Sequence, residues 1–265
     1  MLSKRSPLEI QRSVLAALVL RELKTRFGGR FIGLLWVLFE PMAHIAIMLL
    51  IRVVLRDRYV GVAIAPELWL SVAIIPFLMT RSMWFQGMAA VESNGGLLGY
   101  RQVKPIDTLL ARMIVELVLY LVVLVLFLSF FGWLGDQWWP NRPLEYAGAI
   151  ALFGLWGFVL AMGSTVLAHG RPRVRMFIGM TSTPLYLLSG VLIPIHTFPP
   201  AIREYLLYNP FVHIVELSRW AFFGSNNHML LLGLTVEYPL FWGLVMLALT
   251  SMAFWQYRIR LLTRV

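Results

Sequence analysis

The sequence has no cysteine, which excludes disulfides and thiol chemistry and leaves the compartment open. It is also poor in charge: Asp, Glu, Lys and Arg make up 14% of its 265 residues, against about 25% in an ordinary soluble domain. The phosphate-cradling pattern GxxxxGK followed by Ser or Thr is missing, so the chain cannot hydrolyse ATP in the usual way on its own. Its 13 acidic residues are scattered, whereas a membrane-embedded transferase or hydrolase acting on lipid-linked sugars needs acids or histidines clustered at an aqueous face. No repeat, low-complexity tract or cleavable signal is evident. The basic amino end leads into a full-length apolar run without a small-residue cleavage site, which predicts a retained anchor.

What is present is mostly apolar. Hydrophobic residues make up 59% and mean hydropathy is +0.75, the composition of a polytopic membrane protein, whose length counts spans and not globular domains. The organising stretch is 21–51, RELKTRFGGRFIGLLWVLFEPMAHIAIMLLI, in which a basic segment meets the 21-residue run Phe31 to Ile51. That run is about 30 Å long as a helix, one bilayer core. Before it, residues from Ser6-Pro7 to Gly28-Gly29 read as a helix whose apolar middle, Val14 to Leu20, is too short to span; an interfacial helix with charged ends is expected.

Five further spans follow. The second begins near Pro66 and contains Arg81; Leu117 to Leu134, Tyr146 to Ala168, Met176 to Ile195 and Pro239 to Tyr257 are free of Asp, Glu, Lys, Arg and His. Residues 196–228 are too polar to span and too apolar for a free loop, and break at Asn209-Pro210, so two short re-entrant helices are expected there. The expected divisions are an interface helix over 1–30, a membrane domain over 31–258 and a tail over 259–265. Within the membrane domain the spans fall at about 31–51, 66–88, 113–134, 146–168, 176–195 and 238–257, with an aqueous loop at 89–108.

Charge tests this topology. Placing the amino terminus in the cytoplasm puts sixteen Lys and Arg on that side and six outside, with Arg81 completing the 23. The net charge of +10 is therefore spread over short membrane-edge loops, which disposes of nucleic acid as a partner.

The segments RELKTRFGGRFIGLLWVLFEPMAH, LLGYRQVKPIDTLLAR and STPLYLLSGVLIPIHTFPP, followed by YNPFVHIVELSR, closely resemble membrane subunits of bacterial capsular polysaccharide exporters, the KpsM-type branch of the ABC-2 transporter family. The likeness covers nearly the whole chain in order. Many ABC-2 proteins have Pro after the tyrosine equivalent to Tyr100; here Arg101 stands there. The resemblance implies six transmembrane helices of ABC-2 (type V exporter) architecture, a homodimer in the inner membrane of a Gram-negative bacterium, and cytoplasmic termini. It further implies two copies of a separate ATPase that binds the ATP and Mg2+, with no cofactor in this chain. The implied cargo is a lipid-linked acidic capsular polysaccharide, handed on to a periplasmic co-polymerase and an outer-membrane channel. An O-antigen or teichoic-acid exporter is the close alternative; an ATP-independent channel or scaffold is the remote one.

Candidate site residues fall into three groups, each with a plainer reading beside it. Arg21, Glu22, Arg26, Glu92, Arg101, Lys104, Pro105 and Asp107 are candidates for ATPase coupling, because the family's equivalent segments lie against the ATPase. The plainer reading is positive-inside bias and anionic headgroups. Trp36, Phe39, Glu40, His44, Arg81, Trp84 and Tyr186 are candidates for the translocation path. Glu40 and His44 share a helix face beside Pro41, and an intramembrane carboxylate must be paired, protonated or wet; fixing a kink is the structural alternative. Two isolated ligands do not make a metal site. Aromatic rings suit sliding contacts with sugars, but Trp69, Trp138, Trp139 and Trp242 read as an interfacial belt. Finally, Arg52, Arg56 and Arg58 could attract an acidic polymer at the exit or anchor headgroups, and His213, Glu216 and Arg219 would form a polar gating edge.

Overall fold

Proline sets where the helices begin. In the computed structural model, which describes residues 6–27, 39–47, 50, 66–224 and 233–263, seven helices start on Pro, where a missing N–H costs nothing. They are α1 Pro7–Phe27, α3 Pro66–Met88, α5 Pro105–Trp133, α6 Pro143–Ala168, α7 Pro172–Leu187, α8 Pro200–Leu206 and α9 Pro210–Phe223. The others are α2, residues 39–47, the short α4 Ala90–Ser93, and α10 Glu237–Thr263. No strand occurs among the described residues.

Among those residues four helices are long and apolar enough to cross a membrane: Glu67–Met88, Pro105–Trp133, Pro143–Ala168 and Glu237–Leu262. They differ in where they sit. The most apolar stretch of α3 is 83% buried inside the protein and that of α10 only 17%, so α3 is the hub and α10 faces outward. Around α3 pack α5, α6 and α9. The contact with α6 is close because of Gly87: a Cβ there would lie 2.5 Å from Ala161 Cβ and 2.7 Å from Met113 Cε. Thr80 donates to the Phe153 carbonyl at 2.8 Å, and Trp84 Nε1 to Ser164 Oγ at 2.6 Å, so polar atoms on this interface are paired across it.

The predicted fifth span, 176–195, is only partly helical. α7 holds 16 residues, about 24 Å. Pro184 removes one of its hydrogen-bond donors, and the chain leaves the helix at Leu188. It then turns through Gly190 at φ +73°, a left-handed conformation suited to glycine. An apolar run of spanning length thus divides into a helix and a packed turn. Beyond it, α8 and α9 are separate short helices meeting at Asn209, whose side chain caps α9 by accepting from Phe211 N–H at 3.0 Å. The predicted first span falls mostly outside the described residues, as do Gly28, Gly29, Trp36, Arg52, Arg56 and Arg58.

Of the four tryptophans expected in an interfacial belt, Trp138, Trp139 and Trp242 are exposed, but Trp69 is buried. Its ring is covered by a guanidinium from α9, a partner 150 residues away that no local pattern reveals.

Candidate functional site

The polar residues form three groups at different levels of the bundle. At the end where α5 begins, α1 is fastened along α5. Ser6 and Glu9 cap α1 reciprocally: Ser6 N–H donates to Glu9 Oε2 at 2.9 Å, and Glu9 N–H to Ser6 Oγ at 3.3 Å. Gln11 then donates to Asp107, Arg112 pairs with Glu22 at 2.8 Å, and Arg26 pairs with Glu116. Arg21 reaches Asn94 beside α4. Glu116 is buried and also accepts from Ser82 on α3 at 2.7 Å, so one carboxylate joins the interface helix to the hub.

The VKPID stretch is the start of α5. Pro105 takes the first helical position, and the fully buried Asp107 accepts from Lys104 N–H at 2.9 Å while holding Gln11. Glu92 on α4 accepts from Gly170 N–H at 2.9 Å and pairs with Arg175, with His169 Nδ1 3.7 Å away, so it ties α4 to the turn between α6 and α7. Burial alone would raise the Glu92 carboxyl, but the Gly170 N–H, Arg175 and His169 together hold it below the usual carboxylate range. Six of the eight expected coupling residues are therefore engaged or buried within the chain. Arg101 and Lys104 remain as exposed cationic side chains without an ion-pair partner among the described residues.

At mid-bundle, Glu40 on α2 faces Arg81 on α3 at 3.2 Å and accepts from the Tyr120 hydroxyl of α5 at 3.3 Å. His44 donates from Nδ1 to the Glu40 carbonyl at 2.8 Å, so the two share a turn but their side chains do not pair. The His44 ring stands edge-on to Tyr186, centroids 5.7 Å apart, and Tyr186 lies 5.1 Å from Phe77. The Tyr186 hydroxyl is buried with no hydrogen-bond partner among the described residues. Arg81 and Glu40 keep 38% and 29% of their side-chain surface, and Phe39 is exposed, so this cluster borders an open face. Trp84, by contrast, is buried and spent on Ser164; it is a packing residue here and is not displayed to a passing ligand.

The third group is sealed. Arg219 and Glu216 on α9 pair at 2.9 Å with the Arg219 side chain fully buried. Arg219 also donates to the carbonyls of Gly190 at 2.8 Å and Val191 at 2.7 Å, and its guanidinium carbon stands 3.5 Å from the Trp69 ring. It clamps the turn after α7 onto α9 and α3. His213 accepts on Nδ1 from Thr235 N–H at 3.3 Å, directs Nε2 at the Leu207 carbonyl at 2.8 Å, and stacks on Tyr238 at 4.9 Å. The three residues expected to form one polar edge are thus two separate ties.

Sequence reasoning missed Glu116, Asn94, Ser82 and the Glu92–Arg175 link. The one visible signal was Glu116 itself, an acid set against the start of an apolar run. No group of three or more His, Asp or Glu that could hold a metal occurs among the described residues.

The chain matches the ABC-2 type transporter family over residues 13–223. It is 34% identical over 223 residues to the polysialic acid transport protein KpsM of Escherichia coli, a match covering 82% of this chain and 84% of that protein. It is 31% identical over 252 residues, 93% of this chain and 90% of the other, to the capsule polysaccharide export inner-membrane protein CtrC of Neisseria meningitidis serogroup B. With BexB, the corresponding inner-membrane protein of Haemophilus influenzae, identity is 26% over 237 residues, 84% of this chain and 83% of that protein. A bundle of long apolar helices around a buried hub, matched by the family over most of its length, makes this chain a member of the ABC-2 type transporter family.

Proposed function

We propose that this protein is the permease subunit of an ATP-driven exporter that carries lipid-anchored acidic capsular polysaccharide across the inner membrane to the periplasm. The observation that carries the reading is the match to KpsM and CtrC, proteins named for polysialic acid transport and capsule polysaccharide export, across more than four fifths of each chain. The working unit is a homodimer of six-span subunits with two copies of an ABC ATPase, which supply the ATP and Mg2+ sites. A periplasmic co-polymerase and an outer-membrane channel complete the route. Both termini lie in the cytoplasm, and residues 196–228 re-enter from the periplasmic side.

In this reading α1, residues 89–108 and residues 169–175, the α6–α7 turn with the start of α7, form the ATPase platform. Arg26, Glu22, Glu92 and Asp107 hold that platform together, and Arg101 with Lys104 present charge to the partner. Movement there reaches mid-bundle through Glu116 and Ser82, next to Arg81 and Glu40. The Glu40–Arg81 pair beside Phe39 and Tyr186 offers a sugar polymer charge and ring faces on one side.

Deleting the chain is expected to abolish surface capsule and leave polymer inside the cell, with both reversed by the intact chain. Surface capsule at normal levels in the deletion strain would overturn the reading. Replacing Arg101 and Lys104 together by Glu is expected to remove the ATPase from the purified permease while the permease still inserts; unchanged copurification would remove both from the docking surface.

A further inference from the structure

The first turn of α5, the later part of α6 and the last turns of α10 leave between them a cleft of about 620 Å³, within the size range of ligand sites. Its apolar lining includes Ile106, Met162 and Phe254, and Ser251 on α10 lines it as well. Among the described residues two cations line it, Lys104 and Arg258, and no acidic residue does. The Arg258 guanidinium rests 4.7 Å from the Trp255 ring, and among the described residues neither cation is in an ion pair. The cleft opens on α10, the least buried of the four long helices.

Each part of this arrangement narrows the occupant. A small soluble anion has no use for the apolar lining, and a zwitterionic or neutral lipid has no use for two uncompensated cations. A chain lying along Met162 and Phe254 with its phosphate against Arg258 and Lys104 satisfies both. Arg258, seven residues beyond Ser251 on α10, is about 10 Å nearer the helix end, the separation of a headgroup from its upper acyl carbons. Basic pockets between spanning helices take acidic headgroups in this way, and a tryptophan beside the cation suits the membrane–water boundary.

We propose that the cleft between α5, α6 and α10 binds an anionic phospholipid of the bilayer, its headgroup phosphate held by Arg258 and Lys104 and its chain against Ile106, Met162 and Phe254. The site shares Lys104 with the proposed docking surface but lies apart from the Glu40–Arg81 cluster and needs no transport; it is tested at Arg258, outside that surface, so its failure would leave the export reading untouched.

The test is native mass spectrometry of the full chain, purified in detergent, stripped of lipid and titrated with cardiolipin, phosphatidylglycerol or phosphatidylethanolamine. The two anionic lipids are expected to bind about tenfold more tightly than phosphatidylethanolamine, the equivalent of one charge-assisted contact. Arg258→Gln is expected to weaken them by a similar factor, Arg258→Lys to restore most of the loss, and Ser251→Trp to block binding by filling the cleft. Arg142→Gln, at the opposite end of α6, removes the same charge and should change nothing. Equal binding by Arg258→Gln and the parent, or equal binding of phosphatidylethanolamine, would overturn the proposal. So would displacement of the lipid by inorganic phosphate alone, or a chain dimer that forms at the cleft, excludes lipid and is lost in Ser251→Trp. Should Ser251→Trp fail to fold, the two Arg258 variants carry the decision.

Discussion

The two ends of the molecule handle buried charge in opposite ways. Near the start of α5, charges are shared among α1, α3, α4, α5 and the α6–α7 turn, mostly through pairs in which one partner stays partly exposed. At the α9 end a single pair, Arg219 with Glu216, is sealed, and its remaining hydrogen bonds go to backbone carbonyls of one turn. Where a partner is partly wet, as Arg26 and Arg175 are, water can take its place at modest cost, although the carboxylates of Glu116 and Asp107 are themselves buried. A sealed pair has no such replacement, because a lost partner leaves a charge with nothing around it. The contrast predicts easier rearrangement at the first end than at the second.

The largest expected effect comes from breaking the fixed end. Arg219→Leu leaves Glu216 buried and unpaired and should cost roughly 3–5 kcal/mol, read as a collapse in folded protein recovered from membranes. Adding Glu216→Gln should return a substantial part of it. A single mutant that melts like the parent would refute the clamp. Next, Glu116→Ala removes the acceptor shared by Arg26 and Ser82 and should cost roughly 1–3 kcal/mol. The loss should appear as faster amide exchange in α1 with α3 still protected; uniform loosening would erase the distinction between the ends.

Glu40→Gln keeps the shape but weakens the pair with Arg81. Both side chains are partly exposed, so the stability change should stay below about 1 kcal/mol. Export is expected to fall while protein level holds, and normal export would reduce Glu40 to packing. The smallest effect concerns Glu92. Its folded-state pKa is depressed, so the link to Gly170, Arg175 and His169 contributes fully above the ordinary carboxylate value and fades as pH falls through the lower folded value. Exchange at residues 169–175, divided by the intrinsic amide rate at each pH, should therefore stay flat from pH 7 down to the ordinary carboxylate value and rise below it, and Glu92→Gln should abolish that rise. An increase already present near pH 6 would contradict it.

How much of this was legible in the sequence depended on the range of the interaction. Long apolar runs and helix starts are local, so α5, α6 and α10 were visible, as was the shared turn of Glu40 and His44. The polar segment expected to meet an ATPase could be read as a stretch, but its internal wiring could not: Arg26 and Glu116 stand 90 residues apart. Trp69 looked like a belt residue because it follows Glu67 near a span end; only the fold places Arg219 over its ring. The run 176–195 reads as one span because hydropathy cannot see Gly190 taking a left-handed turn pinned by a distant guanidinium. Trp84 offers ring area to any reader of the sequence, yet its indole nitrogen is committed to Ser164.

The missing side chain at Gly87 has a mechanical corollary. With no atoms to spare between α3 and α6, neither helix can roll or slide on the other without collision. The pair behaves as a doorpost. Whatever else in the bundle moves has to move against it: α2 or α7 can turn, while the post itself is carried along unbent.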